Sequence, residues 1–169
     1  MASLIEELIV VLEEEKDCYI KLLSIGQSKT DIIIKGDVAS LSEITKDEQE
    51  TATHVVKLEK KREEIINDIA LVTNKDCNEL TITNLALLLT KQQEQHDELI
   101  KLRDDIKEVV NKLREINDKN KILLQESLDY IDFTMNAIQS TNSVPNSNYE
   151  SKGNINDSTI NNSLFDAKQ

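Results

Sequence analysis

From Leu4 to Ile138, apolar residues recur three or four positions apart, a spacing that predicts helices and little else. In the first stretch Leu4, Leu8, Val11, Cys18 or Tyr19, Leu22, Ile25 and Ile32 form one stripe, broken at Glu15 and Lys29. Ser3 and Glu6 have the spacing of a capping box, in which hydroxyl and carboxylate each satisfy a free amide, so this helix is expected to start at Leu4. The β-branched run Ile32-Ile33-Ile34 suits a strand, but it sits inside a helical period with no partner strand and is assigned to the helix, which stops at Gly36. Asp37 can cap a second helix whose stripe is Leu41, Ile44, Ala52, Val55, Leu58, Ile65, Ile69 and Val72. Two long helices on either side of a Gly-Asp corner predict an antiparallel hairpin.

Asn74 to Asn78 break the period, and Thr81 or Thr83 can cap a short helix carrying Leu85-Ala86-Leu87-Leu88-Leu89, a run that either closes the end of a bundle or forms a sticky patch. The last helix has the strongest signal. Leu99, Leu102, Ile106, Val109, Leu113 and Ile116 repeat every 3.5 residues, and after a four-residue stutter at Asn120 the stripe continues through Leu124, Leu128, Ile131, Met135 and Ile138. A helix over 91–139 would be roughly 70 Å long and needs cover from the hairpin, a second copy of the chain or a client. Asn120 either fixes register between packed helices or marks the stutter. The expected architecture is all-α: an elongated antiparallel bundle over 1–139 with coiled-coil-like helices at about 4–35, 38–73, 82–90 and 91–139. A disordered tail is expected over 140–169, because from Thr141 onward seven Asn and five Ser among 29 residues leave too little apolar area to offset chain entropy. Tyr149, Ile155, Ile160, Leu164 and Phe165 are its few potential anchors; a solubilising tail and one that folds on binding both fit.

Composition narrows the function. With one Pro, three Gly, no Trp and 3% aromatic residues, the core is aliphatic and a deep ligand pocket is not the default. The net charge is −12, of which the tail carries only −1, so the helical part repels phosphate backbones and nucleic acid is not an expected partner. The sequence shows neither a signal-peptide pattern at its start nor an apolar run of bilayer-spanning length, so membrane insertion is not expected and the expected location is the cytoplasm. Cys18 and Cys77 lack any metal or redox spacing and read as reduced helix-face or helix-end thiols. His54 and His96, the two histidines, are flanked by polar residues and read as solvated positions; there is no HExxH, phosphate loop or G-x-S-x-G, and Glu13-Glu14-Glu15 reads as a solvated face. No enzymatic activity, metal or cofactor is expected. Lys60-Lys61-Arg62 reads as alternating-charge surface able to form i,i+4 pairs, with the Arg62 stem over the seam and its guanidinium reaching a carboxylate. Leu123, Leu124, Leu128, Tyr130, Ile131 and Met135 form the richest apolar patch, next to the tail, and either pack in the core or bind a partner.

The order of these features resembles the FlgN-like flagellar export chaperones. The resemblance runs through Leu12, Tyr19, Leu22 and Leu23, the Lys29 to Gly36-Asp37 corner, and Leu41, Glu48, Leu58, Glu59 and Arg62. It continues with Asn120 and Leu123-Leu124-x-x-Ser127-Leu128-x-Tyr130-Ile131, and closes with Phe165-Asp166-Ala167-Lys168. It implies a small helical cytoplasmic protein that binds hook–filament junction proteins, keeps them unassembled and delivers them to the flagellar type III export machinery. It also implies recognition by Leu123, Leu124, Leu128, Ile131, Met135 and Ile138, with Phe165 as a second contact. The Asn/Ser-rich stretch between Ile138 and Phe165 departs from the family pattern. The competing reading is a structural coiled-coil or adaptor protein that self-associates as a homo-oligomer through its last helix.

Overall fold

The computed structural model describes residues 2–77, 80–89 and 92–142, all of the regular structure being helical: α1 (Ala2–Lys35), α2 (Val38–Thr73), α3 (Ile82–Leu88) and α4 (Gln93–Asn142). The all-α expectation holds, and Ile32 to Ile34 are helical. By its contacts the chain divides into two compact units, 1–131 and 132–169, of which the second is described only over 132–142, the end of α4. Residues 143–169, with most of the expected tail and Phe165, lie outside the described residues.

α1 begins earlier than the Ser3–Glu6 spacing predicts: Ser3 is already helical and cannot act as the cap. Burial of Ile5 and Leu8, at 1% and 0% exposure, holds the first turn through packing instead. At the other end of α1 the amide of Gly36 donates to the Ile33 carbonyl (3.0 Å) and that of Asp37 to the Ile32 carbonyl (3.2 Å), the paired bonds of a Schellman stop. Gly36 has φ +68°, where a Cβ is strained. Asp37 then caps α2, accepting from the Ser40 amide at 3.1 Å and its hydroxyl at 2.6 Å. Nothing else crowds Gly36, so Gly36→Ala isolates the backbone strain and should lower stability by about 1 kcal/mol in urea unfolding without changing helix content. α2 ends in the same way, on Asn74 at φ 53° with the Lys75 amide donating to the Ala70 carbonyl.

The buried face of α2 differs from the predicted stripe. Thr51, Val55, Leu58, Ile65 and Ile69 are buried with Arg62 half-buried between them, a 4/3 repeat, whereas Ala52 is exposed and Val72 is 59% exposed. Thr51 can be buried because its hydroxyl donates to the Asp47 carbonyl at 2.8 Å within the helix. α1 buries a broader face than one stripe allows, including both Val11 and Leu12 at 0%, because it contacts α2 on one side and α4 on the other. Ile5, Leu8 and Leu12 form the main core with Ile65 and Ile69 of α2, Leu85 and Leu89 near α3, and Leu99 and Leu102 of α4. Thr81 rather than Thr83 caps α3, accepting from the Asn84 amide at 3.2 Å. The leucine run divides: Leu85, Ala86 and Leu89 close the core, and Leu87 points outward at 61% exposure.

Candidate functional site

Both polar breaks in the stripe of α1, Glu15 and Lys29, are cross-helix contacts, and Tyr19 adds a third. Glu15 accepts from the Arg62 guanidinium at 3.2 Å, Tyr19 donates to Glu59 at 3.4 Å, and Lys29 donates to Glu48 at 2.6 Å. As the number rises on α1 the partner's number falls on α2, which fixes the antiparallel hairpin and its register. Glu13 and Glu14 are exposed as expected, but Glu15 is not part of a solvated face: it is 0% exposed, with Oε1 unpartnered among the described residues. Burial pushes its carboxyl above the usual range, opposed by Arg62 and reinforced by Glu59. Arg62 reaches the buried Glu15 carboxylate across the seam, as its place in the stripe predicts, whereas Lys61 pairs across helices with Glu7 at 4.0 Å and not along its own helix as expected.

α4 lies parallel to α1. Lys16 pairs with Asp105 at 3.7 Å, Ile116 meets Gly26, and Asn120 meets Thr30, a constant separation of 89 or 90 residues. A Cβ on Gly26 would stand 2.9 Å from Ile116 Cγ2, so this glycine is a notch for the isoleucine. One turn on, Asn120 is 3% exposed; its amide nitrogen donates to the Gly26 carbonyl at 2.8 Å and its oxygen accepts from the Thr30 hydroxyl at 2.6 Å. Of the two readings of Asn120, the structure supports a register contact. Gly26 and Thr30 were missed from sequence, although an isolated glycine inside a helical period is itself a sign of close packing.

Burial along α4 falls with distance from the core. Of its aliphatic stripe, Leu99 and Leu102 are buried, Ile106, Val109, Leu113 and Ile116 half-buried, Leu123 and Leu124 half-buried, Leu128 55% exposed and Ile131 54% exposed. The cause is length: at a separation of 90, Lys35 at the end of α1 stands level with Gln125, and α1 offers nothing beside Leu128 or Ile131. Below them an open groove of about 360 Å³ is lined by Lys29, Glu48, Asn117, Lys121, Leu124 and Leu128. Tyr130 is 72% exposed. In the second unit Met135 is 42% and Ile138 53% exposed.

This surface offers binding by apolar burial and no assembled chemistry. His54 is exposed on α2, while the Nδ1 of half-buried His96 lies 2.9 Å from Asp97 on α4. Cys18 is half-buried, its thiol pushed up by burial and by Asp17, and Cys77 is exposed. Among the described residues no cluster of His, Cys, Asp and Glu could hold a metal, and no helix is long and apolar enough to cross a membrane.

Comparison with curated proteins and with solved structures finds no match. The family model described as FlgN protein matches residues 1–157, a span that includes all four helices and the exposed end of α4. With its whole helical part inside that match, the chain belongs to the FlgN family, whose members are chaperones of flagellar export that act by binding and not by catalysis.

Proposed function

We propose that the clients of this export chaperone are hook–filament junction proteins, held unassembled in the cytoplasm and passed to the type III export machinery. The client surface is Leu123, Leu124, Leu128, Ile131, Met135 and Ile138 of α4, with Phe165 as a further contact. The observation that carries this reading is the exposure of Leu128 and Ile131 on a helix whose earlier stripe is buried at Leu99 and Leu102 and half-buried from there to Ile116. Aliphatic side chains left uncovered at helical spacing suit a partner that supplies another amphipathic helix. The mechanism is reversible helix-against-helix burial, with no bond made or broken.

Size-exclusion chromatography with light scattering tests it, by mixing the protein with each junction protein from the same cell. A discrete complex of defined stoichiometry is expected. Two unshifted peaks at tens of micromolar would overturn the reading, since roughly micromolar affinity shows at that concentration. A larger homo-oligomer in the protein-alone run would favour self-association through the same helix face.

A further inference from the structure

We infer that Asn120 is a positioning residue that fixes the register of α4 on α1 and so keeps the apolar surface at Leu128 and Ile131 uncovered; the functional half of this inference rests on the client-binding reading above. The stripe of α4 is nearly unchanged by a seven-residue shift. Ile106 follows Leu99, Val109 follows Leu102, Leu113 follows Ile106 and Ile116 follows Val109, each seven positions on and each aliphatic. Apolar packing alone therefore discriminates weakly between the observed register and one slipped by a heptad, about 10 Å along the axis.

The Asn120 contact does discriminate, whereas Leu123, seven positions after Ile116, would take that residue's place at Gly26. In the slipped register Asn120 takes the place of Leu113, level with Leu23, and loses both the Gly26 carbonyl and the Thr30 hydroxyl that now satisfy its amide. Ile116 leaves the Gly26 notch and comes level with Tyr19. A single buried Asn in an aliphatic seam characteristically specifies register at a cost in stability, because its partners exist in one alignment only. The consequence for the surface is direct. The same slip brings Leu128 and Ile131 level with residues 31 and 34 of α1, so the chaperone's own hairpin would flank the residues that a client needs.

The test is a distance measurement on the full-length chain carrying Cys18→Ala and Cys77→Ser, with nitroxide labels at the exposed positions of Glu6→Cys and Glu126→Cys. Pulsed electron double resonance should give one distance for the parent and for Thr30→Ser, which keeps the hydroxyl. Asn120→Leu should keep or raise the melting temperature, add a population shorter by about 10 Å, and weaken the junction-protein complex at least tenfold. A single parental distance in Asn120→Leu, loss of folding, or a second population with unchanged client affinity would each overturn the inference. The distances need no client, so failure of the client reading shows separately, as absence of any complex with the unsubstituted chain.

Discussion

Arg62→Met is expected to lower stability by about 2–3 kcal/mol at pH 7 and by much less at pH 5. Methionine keeps most of the aliphatic stem that covers the seam, so the change removes chiefly the charge. Glu15 is then left as a fully buried carboxylate with neither oxygen paired to a cation. Breaking a buried pair from one side typically costs about 3–5 kcal/mol, reduced here because Arg62 itself is 29% exposed and its charge is partly screened. The sign of the pH dependence follows from proton linkage. Burial already raises the folded-state pKa of Glu15 above its ordinary value of 4.5, and loss of Arg62 raises it further. Between the unfolded and folded values the folded chain holds the extra proton, so stability falls as pH rises and recovers as pH drops toward 4.5. Other carboxylates titrate in both proteins, so the quantity to compare is the difference between variant and parent in urea unfolding at each pH. Glu15→Gln is the complement: it removes the buried charge and leaves an Arg62 that water can reach, and should change stability at pH 7 by less than about 1 kcal/mol. Equal losses for Arg62→Met at both pH values would mean that packing, and not charge, links the two helices there.

The helices and the corner were legible because they depend on local signals: three- and four-residue spacing, Asp37 at a cap and glycine at a left-handed stop. What periodicity could not supply was the identity of polar residues in the interior. Hydropathy ranks Ala52 above Thr51, yet the helical repeat through Val55, Leu58 and Arg62 puts the threonine inside. Glu15 and Lys29 read as weak points of the first stripe, since one sequence does not reveal that Arg62 and Glu48 stand opposite them. The parallel contact of α1 with α4 was hidden for the same reason. It depends on Gly26 and Thr30, ninety residues from their partners, and neither is apolar enough to join a stripe. Of the candidate surface, sequence supplied the residues, whereas the end of cover near Gln125 followed only once the separation of the two helices was known.

The largest effect is expected from Leu128→Asp combined with Ile131→Asp, which should weaken the junction-protein complex at least a thousandfold while leaving the thermal transition within 2 °C of the parent. Each side chain is more than half exposed in the free chain, and substitutions at such positions usually change stability by under about 0.5 kcal/mol. Their cost falls on the complex. Covering a Leu or Ile completely is worth about 1.5–3 kcal/mol, of which roughly half remains to be gained at each site, and an aspartate at the same place must lose its hydration or exclude the partner helix. Two such losses exceed about 4 kcal/mol, or three orders of magnitude in Kd. Leu99→Ala is the reciprocal control. Leu99 is 0% exposed in the main core, so its truncation should cost about 3 kcal/mol in stability. Provided that the variant is assayed well below its lowered melting temperature, the α4 surface is unchanged and the affinity should stay within threefold of the parent. Titration calorimetry paired with thermal melts separates the two quantities. A double aspartate variant that still binds within tenfold of the parent would remove Leu128 and Ile131 from the client surface, whatever its effect on folding.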